Sequence, residues 1–249
     1  MTEVSALEYS ARLLGLFALI QTYEFHRLKF PLSQVWRWQD LEEELGRPFR
    51  IVLSENAFLV LNLFCGLVAL DAIIHPHAGS ILILFVLHIL TLLRWRGTYN
   101  GGSDYMGLML LGFAGLGLWR QGTMAKVCLY YMAFQLCLSY FKAGLVKLKS
   151  AEWQAGRALS DFISSPIYEK KPWLENLMAR NPLGLAACWS VMLYELTFPI
   201  AVFNQSLAFV YLICGCGFHL VNTYVFGLNR FFFAWVAAYP ALLYVAGSF

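Results

Sequence analysis

Charged side chains are scarce in this chain. Asp, Glu, Lys and Arg together make up 13% of its 249 residues, whereas soluble domains carry about 25%. Hydrophobic residues make up 59% of the same chain. This shortage of charge excludes an ordinary soluble domain and predicts an integral membrane protein.

Two further absences exclude other classes of protein. The formal net charge is only +3, and the basic residues are spread through the chain rather than gathered in a stripe, which excludes a nucleic-acid-binding surface. The six cysteines all lie in apolar stretches, without the paired spacing of zinc ligands. We therefore predict no disulfide framework, no bound metal and no nucleic-acid partner.

Long apolar runs predict how the chain crosses the membrane. A helix needs about 20 apolar residues to cross a hydrocarbon core of about 30 Å. Seven runs approach that length, at residues 56–74, 80–95, 104–120, 126–147, 183–203, 206–227 and 230–248. An eighth run, residues 6–23, is amphipathic and either spans, lies in the interface or packs against the others. We predict an all-α, polytopic transmembrane helix bundle with about eight spans, or seven as the alternative.

Two long connections separate these runs. Residues 24–55 combine arginines, tryptophans and a run of acidic residues, which is typical of an interfacial helix or a solvated loop. Residues 148–182 carry two tryptophans and several basic residues, and prolines divide them into short pieces. No internal repeat separates the chain into parts, so residues 1–249 are predicted to form a single integral membrane domain.

A lysine at the end of one apolar run is a candidate base. Tyr140, Gly144 and Lys147 lie at i, i+4 and i+7 and so share one face of a helix. The small residue Gly144 leaves room beside the lysine for a neighbouring helix or a ligand. Burial disfavours the charged ammonium, so a lysine in a dry pocket can act as a base. The alternative is a lysine that extends to the membrane surface from the cytoplasmic end of its helix.

A second polar group lies in the run at 206–227. His219, Asn222 and Phe226 align at i, i+3 and i+7 and present an imidazole, an amide and an aromatic ring toward one neighbour. Hydrogen-bonding groups beside an aromatic wall suit a quinone or another planar ring. The alternative is a set of hydrogen bonds that hold neighbouring helices together.

Other charges within the spans need partners, because a charge in mid-bilayer costs at least ~2.5–3.5 kcal/mol. We predict that Glu195 neutralises Lys142 or Lys147, and that Lys142 pairs with Glu195 or Asp104. Asn100, Ser103 and Asp104 stand at a predicted helix start, where the two glycines between Asn100 and Ser103 allow close backbone approach to a ligand. Capping of that helix by Ser103 or Asp104 is the simpler interpretation.

The two polar segments carry a resemblance to a known family. The stretch YFKAGLVKL at residues 140–148, followed by Trp153, resembles a signature of the vitamin K-dependent gamma-carboxylase and of its bacterial relatives, the horizontally transferred transmembrane domain (HTTM) family. The stretch FHLVN at residues 218–222 is similar to the Phe-His-x-x-Asn segment of the carboxylase. NGGSDY at residues 100–105 is a weaker third match, and all three occur in the order found in the family.

The resemblance implies a chemistry and the residues that perform it. In the carboxylase, the lysine of the motif deprotonates vitamin K hydroquinone, dioxygen then yields a strong base, and a peptide glutamate loses its γ-proton and captures carbon dioxide. By this resemblance Lys147 is the base and His219 a second catalytic residue. The residues assigned to the quinone are Asn222, Asn100, Ser103, Tyr140 and Phe226, and the charge partners are Glu195, Asp104 and Lys142.

These observations lead to one leading function and one alternative. The leading prediction is a gamma-carboxylase-like enzyme of the bacterial inner membrane that uses a reduced vitamin K or menaquinol-like quinone, dioxygen and carbon dioxide. Its partners are membrane lipid and a peptide or protein substrate. The same lysine pattern also resembles lipase maturation factors, so the alternative is a non-catalytic maturation factor or a lipid- or partner-binding scaffold.

Overall fold

The part of the chain that the structure describes is all-α, as predicted. The structure is a computed structural model, and it describes residues 1–27, 54–94 and 102–248. No strand occurs within these ranges. In chain order the α-helices are α1 Glu3–Arg27, α2 Glu55–Ile74, α3 Ala78–Arg94, α4 Gly102–Arg120, α5 Gly122–Leu148, α6 Ala151–Gln154, α7 Ala158–Ser164, α8 Pro172–Met178, α9 Asn181–Thr197, α10 Gln205–Phe226, α11 Asn229–Val236 and α12 Tyr239–Ala246, with a 3-10 helix, Phe198–Phe203, after α9.

Fewer helices qualify as membrane spans than the eight or seven predicted. Within the described ranges, three are long and apolar enough to cross a bilayer, namely Asn56–Ile74, Asn181–Phe203 and Gln205–Phe226. Helix α3 is apolar but has only 17 residues. Helices α1 and α5 have the length, but Glu8 and Arg12 in α1, and Lys142 with several tyrosines in α5, lower their hydropathy.

The last apolar run is not one helix. The span predicted at residues 230–248 is divided into α11 and α12, which have eight residues each. Pro240 lies in the first turn of α12. A proline in a helix interior lacks the amide hydrogen and collides with the carbonyl four residues earlier, so the helix ends before it and a new one starts. A helix of eight residues is about 12 Å long and cannot cross a bilayer alone.

The chain divides into two compact units. The N-terminal unit contains Glu3–Cys128 and Phe233–Ala237, and the C-terminal unit contains Met1–Thr2, Leu129–Phe232 and the end of the chain from Ala238. Most of the connection predicted at residues 24–55 lies outside the described residues.

In the N-terminal unit, α1 packs along α2, and α3 packs on α4. Gly15 lets α1 approach α2 closely, because a Cβ built there would lie 2.8 Å from the carbonyl oxygen of Ala69. Two hydrogen bonds also join these helices, at different levels. Asn62 donates its amide to the carbonyl of Thr22 (2.9 Å), and Arg12 donates to the carbonyl of Ile73 (2.5 Å) at the C-terminus of α2.

In the C-terminal unit, a close helix contact brings α5 against α9. A Cβ built on Gly144 would lie 2.9 Å from the backbone nitrogen of Leu196 and 3.1 Å from Cβ of Glu195. The space predicted beside Gly144 is therefore filled by a neighbouring helix. The α-helix of this neighbour ends at Thr197 and continues as the 3-10 helix, in which Pro199 lies in the first turn.

The connection from residue 148 to 182 folds into three short helices, α6, α7 and α8. Gly156 links α6 to α7 with φ +79°, a left-handed conformation that glycine adopts without strain. It also touches α9, since a Cβ there would lie 2.5 Å from Cα of Leu185. Trp189 of α9 donates its indole N–H to the carbonyl of Gln154 (3.3 Å). The connection is thus held against α9 at two points.

Candidate functional site

The centre of the candidate site is a salt bridge between α5 and α9. Lys147 donates from Nζ to both carboxylate oxygens of Glu195, at 2.8 and 2.7 Å. The side chain of Glu195 is 3% exposed and that of Lys147 is 20% exposed. A charge-assisted bond of this kind is stronger than a neutral one, but both charges lose water when they are buried. Burying this ion pair therefore costs free energy, and that cost marks it as a candidate functional site.

An aromatic ring lies beside the same ammonium. Nζ of Lys147 is 5.3 Å from the ring centroid of Trp153, within the distance of a cation–π contact. Trp153 in turn packs against Phe162 of α7, with 6.2 Å between ring centroids. The short helices after α5 thus return the chain onto the end of that helix and hold the ammonium between a carboxylate and a ring.

Lys147 and Glu195 line a cavity of about 280 Å³, here called the lysine cavity. Its wall is mainly aromatic, which suits a planar ligand. Its polar and aromatic lining residues are Lys147, Trp153, Phe162, Tyr168, Glu195, Phe218, Asn222, Phe226 and Phe231, and its aliphatic ones are Ala143, Leu159, Val191 and Leu228. The cavity therefore combines one ion pair, one amide and one phenol with a wall of rings.

Asn222 and Phe226 face this cavity, one turn of α10 apart. The side-chain amide of Asn222 makes no hydrogen bond with any residue that the structure describes. A polar group without a partner is unfavourable away from water, and in a membrane-spanning helix it costs more than on a soluble surface. The amide is therefore available to a ligand in the cavity.

His219 lies elsewhere, although it belongs to the same helical pattern. It is 1% exposed and does not line the lysine cavity. Its Nε2 lies 2.6 Å from the hydroxyl of Tyr140, which lies 3.3 Å from the hydroxyl of Tyr239. Phe231 is 5.2 Å from the imidazole by ring centroids and lines the cavity itself.

Tyr140 shares that buried position. Its ring stacks on Phe198 at 4.0 Å between centroids and meets Tyr194 edge-on at 5.6 Å. The predicted face of α5 is therefore present in the structure. Tyr140, Gly144 and Lys147 all contact α9 or the 3-10 helix. Of these three, only Lys147 lines the lysine cavity.

The remaining predicted residues are not brought to the cavity. Lys142 is exposed, and it makes no ion pair with any described residue, so Glu195 pairs with Lys147 and not with Lys142. Ser103 and Asp104 are buried members of the N-terminal unit, where the backbone carbonyl of Asp104 accepts a hydrogen bond from His88 (2.8 Å). Asn100 lies outside the described residues.

Tyr168 is a cavity residue that the sequence patterns did not indicate. It belongs to the stretch between α7 and α8, and its ring meets Phe226 edge-on at 4.9 Å between centroids. The stretch is irregular, so no helical or strand period shows which of its side chains point the same way. The sequence indicated Tyr168 only by its position, in the connection that follows the lysine motif and between Pro166 and Pro172.

Two contacts of Lys171, three residues after Tyr168, hold this part of the chain in place. Nζ of Lys171 lies 4.7 Å from the ring centroid of Tyr224 in α10, and it donates to the carboxylate of Glu169 at 2.8 Å. This hydrogen bond lowers the pKa of Glu169 below its ordinary value and raises the pKa of Lys171 above its own. The contacts attach the stretch that carries Tyr168 to the end of α10.

A second concavity in the C-terminal unit has no polar side chain beyond a tyrosine. It measures about 520 Å³ and lies between α5, the 3-10 helix and α12. Residues that represent its three sides are Phe134, Phe141, Val202, Phe203 and Val245. This apolar groove is lined by no carboxylate, amine or imidazole, in contrast to the lysine cavity.

Comparison with known proteins gives one match. The HTTM domain family matches residues 118–246, which are 129 of the 249 residues and include every residue of the lysine cavity. No curated protein and no solved structure matches the chain. The family match and the three apolar helices agree that this is a membrane protein. Large apolar side chains along those helices, such as Val60, Leu67 and Ile213, are exposed, which is typical of helices that face lipid.

Proposed function

The chain belongs to the HTTM domain family, and from this premise we propose that it is a gamma-carboxylase-like membrane enzyme that binds a reduced quinone in the lysine cavity. The quinone is of the vitamin K or menaquinol type. The reaction uses dioxygen and carbon dioxide, and its acceptor is a peptide or protein. We place the enzyme in a bacterial inner membrane, which it crosses several times.

The observation that carries this proposal is the buried ion pair on an aromatic wall. A lysine and a glutamate 2.7 Å apart, with the carboxylate 3% exposed, are an expensive arrangement inside a membrane protein. An ion pair that only joins two helices needs no space beside it, whereas this one lines a cavity together with aromatic rings. Ionisable residues within membrane proteins commonly mark a functional site.

The residues present fit a quinone ring. A planar bicyclic ring can lie against Trp153, Phe226 or Phe231, because aromatic side chains favour stacked and edge-on contacts with other rings. The amide of Asn222 has no partner among the described residues and can bond a ring oxygen. The isoprenoid tail of such a molecule is apolar, as are the exposed surfaces of the membrane helices.

Lys147 and Glu195 act together on a proton. The carboxylate can take the ammonium proton of Lys147 along the hydrogen bond, which leaves an amine lone pair and removes both buried charges. That lone pair at Nζ then accepts a hydroxyl proton from the ligand, as a general base does. When bound, a reduced quinone supplies the electrons for dioxygen reduction and so the strong base that the carboxylation needs.

The assigned roles differ in how close each residue comes to the ligand. Lys147, Asn222 and Phe226 line the cavity and would touch it. His219 and Tyr140 do not line the cavity, so we assign them to positioning α5 relative to α10 through their hydrogen bond. The quinone-binding roles of Asn100 and Ser103 and the charge role of Asp104 stay predictions.

Epoxide formation tests the proposal. The full chain, purified into lipid nanodiscs, is supplied with menaquinol and dioxygen, and quinone epoxide is measured by mass spectrometry. Lys147→Ala should lower the rate by at least about 100-fold, because a positioned base contributes 10²–10⁴-fold. The matched control is Lys142→Ala, an exposed lysine five residues earlier on the same helix. Absence of epoxide with the wild type, or equal rates for both variants, would overturn the proposal.

The second candidate function is a non-catalytic maturation factor or scaffold that binds lipid or a partner protein. The observation that favours it is the apolar groove of about 520 Å³, which resembles a lipid site more than a catalytic one. Under this alternative, Phe141→Asp in the groove would abolish association with lipid or partner, and Lys147→Ala would change no redox turnover.

A further inference from the structure

The stretch between α7 and α8 brings a second unpartnered polar group to the lysine cavity. Tyr168 lines the cavity together with Asn222. Its ring is fixed edge-on against Phe226, but its hydroxyl makes no hydrogen bond with any residue in the described ranges. Two polar groups without partners, one from a spanning helix and one from a connection, therefore share a cavity whose wall is otherwise mainly aromatic.

Buried phenols usually find a hydrogen-bond partner. Two tyrosines near the site, the half-buried Tyr194 and the buried Tyr140, follow this rule. The hydroxyl of Tyr194 donates to the carbonyl of Tyr211 at 3.0 Å, and the hydroxyl of Tyr140 lies 2.6 Å from His219. Tyr168 is half-buried and its hydroxyl has no such partner among the described residues, and of these three tyrosines it is the one that lines the lysine cavity.

The position of Tyr168 is fixed by its neighbours in sequence. Three residues later, Lys171 is held over the ring of Tyr224 and bonded to Glu169. The side chain of Lys171 is 11% exposed, although that of its partner Glu169 is 84% exposed, so the lysine itself is held against the protein. With Phe226 packed on its ring and Lys171 anchoring the chain behind it, Tyr168 loses little further freedom when it bonds a ligand, which favours affinity.

We propose that Tyr168 is a ligand-binding residue of the lysine cavity, and that its hydroxyl donates a hydrogen bond to one oxygen of the bound ring while Asn222 bonds another. This inference rests on the proposed function and narrows its substrate class. The ligand carries oxygen at two positions of its ring system, as a 1,4-dihydroxynaphthalene does. A ring with one oxygen leaves one of the two groups unsatisfied and binds more weakly.

Binding of menadiol, a 1,4-dihydroxynaphthalene without an isoprenoid tail, tests this inference. The full chain in nanodiscs is titrated without oxygen, and quenching of tryptophan fluorescence reports binding, since Trp153 lines the cavity. Tyr168→Phe should raise the Kd about three- to tenfold, the equivalent of one hydrogen bond. Tyr224→Phe is the matched control, because it also deletes one hydroxyl but keeps the ring beneath Lys171 and does not line the cavity.

A ligand comparison on the wild type serves as a second measurement that needs no variant. 2-Methyl-1-naphthol lacks one ring oxygen of menadiol and should bind wild type at least about threefold more weakly. Tyr168→Phe should then affect this ligand less than it affects menadiol, because a ring with one oxygen can bond Asn222 instead and so needs only one of the two groups.

The possible outcomes distinguish the role of Tyr168 from the proposed function. Equal menadiol Kd values for Tyr168→Phe and Tyr224→Phe would overturn the role of Tyr168 and leave the proposed function standing. Weaker binding by Tyr168→Phe alone, with equal epoxide formation by Lys147→Ala and wild type, would support the binding residue and overturn the enzyme. Failure of the wild type to bind menadiol would overturn both.

Discussion

Asn62 and Asn222 lie inside membrane-spanning helices of this protein, one in each compact unit. The side-chain amide of Asn62 in α2 donates to the backbone carbonyl of Thr22 at 2.9 Å, and the hydroxyl of Thr22 donates to the backbone carbonyl of Asn62 at 3.4 Å. Asn222 of α10 lines the lysine cavity and bonds no described residue. The first amide joins two helices, and the second faces an open space. The same type of side chain thus holds two helices together in one unit and lines the candidate site in the other.

Other polar residues follow the same division. In the N-terminal unit, the guanidinium of Arg12 satisfies carbonyls at the end of α2, where the helix dipole favours a cation. His88 satisfies the carbonyl of Asp104. In the C-terminal unit, Lys147 and Glu195 satisfy each other but do so at a cavity wall. What separates a structural polar residue from a candidate site residue here is the space beside it.

The largest expected effect on stability comes from breaking the ion pair. Glu195→Ala leaves the ammonium of Lys147 without its carboxylate, and we expect a loss of about 3 kcal/mol, the low end for a buried pair because Lys147 is partly exposed. Thermal unfolding in detergent measures it. The double variant Lys147→Met with Glu195→Met should recover most of the loss. No recovery would mean that the pair stabilises the fold itself.

Substituting one glycine at a helix contact in each unit compares the two units directly. Gly15→Ala and Gly144→Ala both place a Cβ 2.8–2.9 Å from backbone atoms of the neighbouring helix, so each should lower stability by about 1–3 kcal/mol. Only Gly144→Ala should also weaken menadiol binding, because it displaces α5 from α9 beside Lys147. Gly217→Ala, with nothing within 4 Å of the added Cβ, is the control. Equal binding by all three variants would contradict the prediction.

The two asparagines test the comparison itself. Asn62→Leu removes the hydrogen bond to Thr22 and should cost about 0.6–1.7 kcal/mol of stability, without changing menadiol binding. Asn222→Leu should leave unfolding unchanged and weaken binding about tenfold, since it removes a bond to ligand rather than to protein. Measurements of the unfolding temperature and of the menadiol Kd on both variants test these two expectations. A reversed pattern would end the distinction between the two units.

The smallest effect is expected at Lys142. Its side chain is exposed and has no ion pair within the described part of the chain, so Lys142→Ala should leave unfolding temperature, menadiol Kd and epoxide formation unchanged. Dye-based thermal scans and the fluorescence titration are sufficient to show this. A loss of turnover comparable to that of Lys147→Ala would instead place Lys142 in the site.

Local pattern predicted part of the site well. The spacing of Tyr140, Gly144 and Lys147 predicted one face of α5, and that face does meet a neighbouring helix. The same reasoning grouped His219 with Asn222 and Phe226, but the structure separates them, because Tyr140 engages the imidazole while the amide faces the cavity. Residues three apart on a helix differ by about 60° in direction, which is enough to reach different neighbours.

The sequence alone determined that this chain is helical, that it belongs in a membrane, and which segments are apolar. These properties follow from composition and from a period of 3.6 residues, both of which are local. Only the tertiary structure decided that Glu195 pairs with Lys147 rather than Lys142, that Pro240 divides the last apolar run, and that Tyr168 reaches the cavity wall. The physical reason is that ion pairs and cavities join residues distant in the chain, and their free energy depends on which helices meet.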